Sequence, residues 1–209
     1  MKMAREGLPF ILACGIAALL FFVAGWWVAA FLFLAGGSAF AFFFRDPERK
    51  IPEGEHLLVS PADGRVVKIE DGASHPLLPF PATRVSIFLS LLDVHITRAP
   101  LSAEVSKMEY HPGRFLPAYK EEASSKNESR SLFLKGDNAD VFLRQIVGVA
   151  ARRIKCYVRE RDRVMKGQRM GLMYFGSRVE VFFPLSVRVR ASLGQKVRAG
   201  ETVLGEVAE

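Results

Sequence analysis

Residues 173–184 read MYFGSRVEVFFP, and this stretch decides how the second half of the chain is interpreted. In its last part, RVEVFFP, apolar residues alternate with charged ones, which is typical of a β-strand. A Gly-Ser pair, Gly176-Ser177, stands between an apolar approach and this run. The pattern therefore predicts a strand, while the small, flexible pair with its hydroxyl needs a separate, chemical explanation.

Similar short runs, separated by turn residues, continue on both sides of this stretch. Examples are TRVSIFLSL (83–91), AEVSKMEYH (103–111) and VRVRASL (187–193). Residues 141–155 fit a strand better than a helix because they are rich in β-branched side chains. We therefore predict a mainly β fold for residues 51–209.

A weak internal repeat refines this prediction. VMKGQRMG (164–171) and VRAGETVLG (197–205) share the pattern V-x-x-G-[QE] and read as two similar hairpins. The same spacing of glycines and turn residues occurs in barrel-sandwich folds of the lipoyl and biotinyl kind. Since no carrier lysine motif stands at a turn tip, the pattern predicts a barrel-sandwich-like domain without an attached carrier cofactor.

The N-terminal part of the chain has a different character. Residues 7–44 contain no charged side chain. As one helix they would span about 57 Å, nearly twice the ~30 Å hydrocarbon core of a bilayer. Two helices of roughly 17–18 residues fit better, with the break at Gly25-Trp26-Trp27 or at Gly36-Gly37-Ser38.

Charges at both ends of this apolar segment orient it. Basic residues precede and follow the segment: Lys2, Arg5, Arg45, Arg49 and Lys50. The positive-inside rule then places both ends in the cytoplasm. We predict that residues 1–50 form a hydrophobic helical hairpin and basic linker that anchor the protein at the cytoplasmic face of the cell membrane. Whether the hairpin spans the bilayer or dips into it stays open.

Composition limits the partners of the soluble part. The whole chain has a net charge of +7, of which residues 51–209 carry +5; this charge suits an anionic surface such as a lipid leaflet, although solubility alone also explains it. No nucleic-acid-binding motif is present, so nucleic acid is not an expected partner. The two cysteines, Cys14 and Cys156, form no CxxC pattern, and we expect no metal site.

Four stretches carry side chains suited to chemistry. They are VSPADGRV (59–66), SLLDVHITRAP (90–100), YHPGRFLPAYKEEASSKNESR (110–130) and FGS (175–177). Each has an ordinary interpretation when taken alone, because Asp63-Gly64 suits a turn, His95 suits a packed position, and 110–130 suits a long polar loop.

Together and in this order, the stretches resemble the short form of the phosphatidylserine decarboxylase family. The resemblance includes SPADG, DVHITRAP, YHPGRFLPA with NESR, and FGSR close to the C-terminus. It also includes the apolar hairpin and FFRDPER, so it covers nearly the whole chain.

The resemblance implies a proenzyme that cuts itself between Gly176 and Ser177 and converts Ser177 into a pyruvoyl group. Large and small subunits would then come from one chain. The pyruvoyl carbonyl reacts with the substrate amine and accepts the electrons left when CO2 departs. The implied reaction converts the anionic lipid phosphatidylserine into phosphatidylethanolamine and CO2.

The resemblance also implies roles for individual residues. Asp63 would belong to the cleavage machinery, and His95 would donate a proton in decarboxylation. The long form has a second histidine where this chain has Arg98. Either His95 therefore serves both reactions, or Asp63 acts with help from Arg98.

Basic side chains are the expected ligands of the lipid head group. Arg98 offers a forked set of donors to a carboxylate or phosphate. The basic segment 110–130 adds three candidates for head-group contact: Arg114, Lys126 and Arg130.

Two alternatives stay open. The lipid tails are not read by these motifs, so an archaetidylserine-type substrate is the first. The second is a non-catalytic, membrane-tethered β-sandwich adaptor, which the repeated V-x-x-G-[QE] pattern motivates. Oligomeric state, including a homo-oligomer, stays open as well.

Overall fold

A computed structural model describes residues 2–75, 78, 81–149 and 154–207. Their contacts divide the chain into two compact units, Met1–Glu48 and Arg49–Glu209. The first unit is helical and the second is built from strands. Each is described below by itself.

The N-terminal unit is a helical hairpin. Helix α1 runs from Leu8–Val23 and helix α2 from Trp27–Phe43. A 3-10 turn, Arg5–Gly7, precedes α1. Short strands β1 (Lys2–Met3) and β2 (Arg45–Asp46) pair antiparallel and join the two ends of the unit.

The helices separate at Gly25, which has φ +80°. This left-handed conformation suits glycine because glycine has no Cβ. The first of the two expected break positions is therefore confirmed. Gly36-Gly37 instead lies inside α2, where a Cβ on Gly37 would stand 3.2 Å from the Cβ of Cys14. Small residues at this point let the two helices approach closely.

Helix length bears on the predicted anchor. The apolar segment Arg5–Val23 is long enough, at 19 residues, to cross a membrane, while Trp27–Phe43 is shorter. Most of the large side chains of both helices, among them Leu12, Leu20 and Phe31, are exposed. Among the described residues, one helix thus has a length and composition that suit a bilayer.

The second unit contains the remaining strands and one short helix. In chain order the strands are β3 (Leu57–Val59), β4 (Gly64–Ala73), β5 (Ala82–Leu89), β6 (Ile96–Arg98), β7 (Ala103–His111), β8 (Ser129–Gly136), β9 (Asp140–Val147), β10 (Ile154–Cys156), β11 (Arg163–Val164), β12 (Arg169–Met173), β13 (Ser177–Pro184), β14 (Val187–Val189), β15 (Lys196–Val197) and β16 (Val203–Val207). Helix α3 (Glu122–Lys126) lies between β7 and β8.

In the described part of the chain, these strands form one large sheet and two small ones. The eight-stranded sheet has the order β11-β7-β8-β9-β13-β5-β4-β15, and the three-stranded sheets are β10-β12-β6 and β14-β16-β3. Neighbouring strands are antiparallel throughout the large sheet. Strand β13 lies inside it, with β9 on one side and β5 on the other.

One hydrophobic core joins the three sheets. It receives Val85 and Val181 from the large sheet, Met173 from β12, and Leu58 and Leu204 from β3 and β16. Burying a side chain of this size stabilises the fold by about 1.5–3 kcal/mol. The predicted mainly β, barrel-sandwich-like domain after a helical hairpin is confirmed.

The repeated V-x-x-G-[QE] turns differ from the expectation of two hairpins. Strands β11 and β12 flank the first turn but belong to different sheets, and so do β15 and β16 around the second. The glycines of the two turns, Gly167 and Gly200, have φ of +79° and +77°. A Cβ on Gly200 would stand 3.6 Å from the Cα of Gly167. The repeat therefore builds two crossovers between sheets that pack against each other.

One further segment differs from the sequence prediction. The segment 110–130, expected as a loop, begins as the end of β7, includes α3, and ends in β8. The second unit begins at Arg49, two residues before the expected start of the β domain at residue 51. Of the predicted strand 141–155, residues 150–153 lie outside the described residues, while β9 and β10 cover the rest of it except Gly148 and Val149.

Candidate active site

Ser177 is the first residue of β13, at one end of the central strands. It pairs with Leu89 of β5 and with Val147 of β9, and it is fully buried. Its hydroxyl has no hydrogen-bond partner among the described residues. Buried polar groups are nearly always paired, so an unpaired serine hydroxyl marks a group held for another purpose.

The backbone before Ser177 is strained. Phe175 has φ +42° and Gly176 has φ +70°. The left-handed region costs a non-glycine residue on the order of 1–3 kcal/mol unless its surroundings hold it there. The Gly176 carbonyl oxygen packs against Gly148, where an added Cβ would stand only 2.3 Å from it. The peptide bond between Gly176 and Ser177 is therefore held in a tight, unusual turn.

His95 is hydrogen-bonded to this turn. Its Nε2 accepts a hydrogen bond from the backbone N–H of Gly176 over 3.1 Å. Its Nδ1 lies 2.9 Å from the carbonyl oxygen of Asp93. Since Nε2 is the acceptor, the neutral ring carries its proton on Nδ1 and donates it to Asp93. The fully buried imidazole is thus fixed in one tautomer beside the Gly-Ser bond.

Asp63 forms an ion pair with Arg49 and is not hydrogen-bonded to the Ser177 hydroxyl. Both of its carboxylate oxygens are 2.9 Å from Nη2 of Arg49, and Oδ1 also accepts the Ala199 backbone N–H at 2.9 Å. Burial raises the pKa of the Asp63 carboxyl, although Ala199 and Arg49 oppose the rise, and the charge of Asp93 adds to it. The negative charge of Asp93 therefore affects the ionisation of Asp63. Asp93 precedes His95 by two residues.

The glycine of the ADG turn explains how Asp63 reaches this end of the sheet. Gly64 has φ +145°, and a Cβ there would stand 2.1 Å from the carbonyl oxygen of Phe88. Phe88 precedes Leu89, the partner of Ser177. Only glycine, which has no Cβ, allows these two backbones to approach so closely.

Arg98 is buried and engaged within the protein. Its Nη1 donates to the carbonyl oxygen of Gly167 over 2.9 Å, and its Cδ would lie 3.2 Å from a Cβ on Gly200. The guanidinium thus braces the two packed crossover turns. As a ligand for the substrate carboxylate or phosphate, Arg98 stays a prediction.

The three basic candidates of the segment 110–130 lie at different places. Arg114 is exposed, and Lys126 of α3 pairs with Glu122 at 3.0 Å. Arg130 is half-buried on β8, with its guanidinium 6.0 Å from the ring of Tyr110. Among the described residues, none of these side chains is hydrogen-bonded to Ser177, and their head-group role stays a prediction.

Asn127 is a residue that the sequence argument did not single out. Its side-chain oxygen accepts the Leu116 N–H at 2.9 Å, and its Nδ2 donates to the carbonyls of Leu116 and Val147 at 2.8 Å each. It therefore ties the segment 110–130 to Val147, the strand partner of Ser177. The available sequence signal for Asn127 was its position in NESR (127–130), one of the motifs on which the family resemblance rests.

Also not anticipated is a buried ionic network on the other face of β13. The Nε of Arg178 lies 3.2 Å from Oε1 of Glu180, and both side chains are 1% exposed. Ser124 of α3 donates a hydrogen bond to the same oxygen, and Ser86 and Arg84 of β5 approach it. This network connects α3 to the strand that begins with Ser177. Alternating charges in RVEVFFP gave no sign that the charged face would be buried.

Arg49 and Gly148 are the other residues that only the structure reveals. Arg49 follows a charged, proline-containing stretch that reads as a linker, and its ion pair with Asp63 joins positions distant in sequence. Gly148 follows a strand-like run and has no motif around it. Their roles depend on contacts that no local pattern encodes.

Comparisons with known proteins show the family to which the chain belongs. A family profile described as phosphatidylserine decarboxylase matches residues 37–205. The phosphatidylserine decarboxylase proenzyme of Syntrophus aciditrophicus is 46% identical over 205 residues, covering 97% of this chain and 96% of that protein. The proenzyme of Desulfotalea psychrophila is 38% identical, covering 98% and 96%, and that of Burkholderia pseudomallei is 41% identical, covering 99% and 95%. This chain belongs to the phosphatidylserine decarboxylase family.

Proposed function

We propose that this protein cuts its own chain between Gly176 and Ser177 and then decarboxylates phosphatidylserine to phosphatidylethanolamine and CO2. The observation that carries the proposal is the arrangement at the Gly-Ser bond. A buried, unpaired hydroxyl follows a left-handed glycine whose N–H is bound by a neutral histidine.

The first step of cleavage follows from this arrangement. The Ser177 hydroxyl attacks the carbonyl carbon of Gly176, the peptide C–N bond breaks, and an ester and a free amino group form. A base removes the hydroxyl proton, because an unperturbed serine is a weak nucleophile. His95 is our candidate base, since its Nε2 lies 3.1 Å from the nitrogen of Gly176, the residue whose carbonyl is attacked.

Elimination completes the cleavage. Loss of the Cα proton of residue 177 expels the Gly176 carboxylate and leaves dehydroalanine at position 177. Hydrolysis of this group releases ammonia and leaves a ketone, which completes a pyruvoyl group. Residues 1–176 then form the large subunit and residues 177–209 the small subunit.

The surroundings of position 177 fit such a group. As the first residue of β13, it keeps the small subunit in the sheet through pairing with β5 and β9. When present, the pyruvoyl carbonyl supplies an electron sink for the carbanion left by loss of CO2. Cleavage also separates Gly176 from this strand, so the new chain end is free to leave His95. In the cut protein, His95 would first take up a proton on Nε2 from water and would then deliver that proton to the substrate Cα.

The roles of the ion pair and of the helical hairpin extend the proposal. Asp63 and Arg49 would fix the end of the sheet and set the charge near Asp93 and His95. The hairpin would hold the enzyme at the cytoplasmic face of the cell membrane, where the lipid tails stay in the bilayer. Arg98, Arg114, Lys126 and Arg130 would then contact the anionic head group.

The decisive experiment is intact mass spectrometry of the purified full-length protein, with Ser177→Ala beside it. Wild-type protein should give two chains, and the small one should begin with a pyruvoyl group that blocks N-terminal sequencing. Ser177→Ala should remain one chain and be inactive toward phosphatidylserine vesicles. Ser186→Ala, which removes an exposed serine after the same strand, should be cut like the wild type. An active single chain with an intact serine would overturn the proposal, and a wild-type chain that is both uncut and inactive would favour the non-catalytic adaptor instead.

A further inference from the structure

Two buried polar side chains near Ser177 have no part in the chemistry described above. Gln145 of β9 and Thr97 of β6 are fully buried. The Nε2 of Gln145 donates to Oγ1 of Thr97 over 2.7 Å. This hydrogen bond connects the large sheet to the small sheet β10-β12-β6.

The strand register places Gln145 on the same face of the large sheet as Ser177. Gln145 is directly opposite Val179, and Ser177 is directly opposite Val147. Directly opposed residues share a face, and residues two apart on one strand share it too. Gln145 is therefore the diagonal neighbour of Ser177, at a separation that a long side chain spans.

Thr97, on strand β6, lies beside Gln145 as well. His95 bonds to the Gly176 N–H of the connection to β13, and Thr97, two residues later, bonds to Gln145 of β9. The two contacts are consecutive along one face of this extended segment. Thr97 and Gln145 thus form a second polar pair beside the pair formed by His95 and Gly176.

A glycine on β12 makes room for this second pair. Gly171 is the strand partner of Thr97. A Cβ on Gly171 would stand 3.4 Å from both Nε2 of Gln145 and Oγ1 of Thr97. The carboxamide is therefore confined by three strands, with its Nε2 bonded to the Thr97 hydroxyl.

The other end of the carboxamide is unpaired. Oε1 of Gln145 is buried and has no hydrogen-bond partner among the described residues, as is true of Oγ of Ser177. A buried acceptor without a donor costs free energy, so it is expected to have a partner at some stage of the protein's work. Once Ser177 has been converted, its hydroxyl is no longer there to donate.

We propose that Oε1 of Gln145 accepts a hydrogen bond from the primary amine of the lipid head group, and that Thr97 is the positioning residue that turns Oε1 toward it. This inference rests on the proposed function. The phosphate and carboxylate of the head group offer acceptors only, whereas the amine offers N–H donors. The carboxamide oxygen would therefore select the amine and place it next to residue 177.

The test measures how well the enzyme distinguishes a ligand with an amine from one without it. Self-cleaved protein is first treated with borohydride, which reduces the ketone so that it no longer reacts with amines. Calorimetry then compares glycerophosphoserine with glycerophospho-3-hydroxypropionate, in which hydrogen replaces the amine. The wild type should bind glycerophosphoserine roughly 10-fold more tightly, the effect of one well-placed hydrogen bond.

Replacing Gln145 or Thr97 should change the discrimination between these two ligands in a defined way. Gln145→Met, of similar shape, should be cut as fully as the wild type but bind the two ligands equally. Thr97→Val should keep a discrimination of about 3-fold because the carboxamide is still present but less fixed, and Thr97→Ser should match the wild type. Gln168→Met, which removes an exposed glutamine, should also match it.

Several outcomes would overturn the inference. One is undiminished discrimination in Gln145→Met, and another is a Gln145→Met protein that folds but stays uncut. If that variant does not fold, Thr97→Val decides, and wild-type discrimination there counts against the inference. A wild-type protein that is never cut at Gly176 would instead remove the proposed function itself.

Discussion

The backbone N–H of Gly176 donates to Nε2 of His95 over 3.1 Å, so the histidine is bonded directly to the residue whose carbonyl Ser177 would attack. Because Nδ1 donates to the Asp93 carbonyl at 2.9 Å, the ring is locked as a neutral acceptor. This geometry is the reason that we propose His95 as the base of self-cleavage.

Replacing His95 tests both of these roles. We expect His95→Ala to slow self-cleavage, measured by a denaturing-gel time course. In the fraction that is cut, decarboxylation should fall by about 100-fold or more, the usual effect of removing a general acid or base. His56→Ala, which removes an exposed histidine, is the control. Wild-type rates of both reactions in His95→Ala would contradict this assignment.

Gly148 should be indispensable for cleavage because the Gly176 carbonyl oxygen occupies the space where its Cβ would be, at 2.3 Å. Gly148→Ala pushes that oxygen away, and such overpacking typically costs about 1–3 kcal/mol. We expect self-cleavage at least roughly 10-fold slower. Gly15→Ala is the matched control, since an added Cβ there meets nothing within 4 Å. Unchanged cleavage in Gly148→Ala would show that the tight turn is not needed.

The pH profile of self-cleavage should report the ionisation of Asp63. Burial raises the pKa of this carboxyl above its ordinary 3.8, so it takes up a proton at milder acidity than an exposed aspartate. Proton uptake removes the charge that pairs with Arg49, and cleavage should slow as the pH falls through a range that begins above 3.8. Asp63→Asn should be slow throughout and lack this acid limb. A wild-type profile in Asp63→Asn would exclude Asp63 from the reaction.

The raised pKa of Asp63 also makes the stability of the folded protein depend on pH in a defined direction. Because the folded state holds the Asp63 proton more tightly than the unfolded state, the unfolded chain loses its proton first as the pH rises. This contribution to stability is therefore fully present below 3.8 and is lost between 3.8 and the higher pKa of the folded state. Urea unfolding of uncut Ser177→Ala at several pH values, with and without Asp63→Asn, measures it. An opposite slope difference would contradict the raised pKa.

Breaking the buried pair of Arg178 and Glu180 should destabilise the sheet. Both side chains are 1% exposed, and removal of one partner from such a pair typically costs about 3–5 kcal/mol. We expect a loss of this size for Glu180→Gln in urea unfolding of the Ser177→Ala protein. Arg190→Met should cost at most about 1 kcal/mol, because Arg190 is 54% exposed and its ion pair with Glu206 is screened by water. Equal effects of the two changes would mean that the buried network is not a stabilising feature.

Local patterns in the sequence determined the elements and the family. The alternation in RVEVFFP predicted β13, and the glycine-containing stretches predicted a helix break at Gly25-Trp26-Trp27 or at Gly36-Gly37-Ser38, because both patterns depend on neighbours a few residues apart. Gly176-Ser177, His95 and Asp63 were recognisable as candidate site residues because their motifs occur in a fixed order along the chain. Each of these signals lies within a short stretch of sequence.

Only the tertiary structure decided how these pieces meet. The pairing of Arg49 with Asp63, the contact of Gly148 with Gly176, and the bond between Thr97 and Gln145 join positions on different strands or turns. The charged face of RVEVFFP is buried because α3 and the neighbouring strands cover it, and no periodicity reveals that. Strand order and packing bring together residues far apart in sequence, so contacts of this kind follow from the whole fold and not from any one segment.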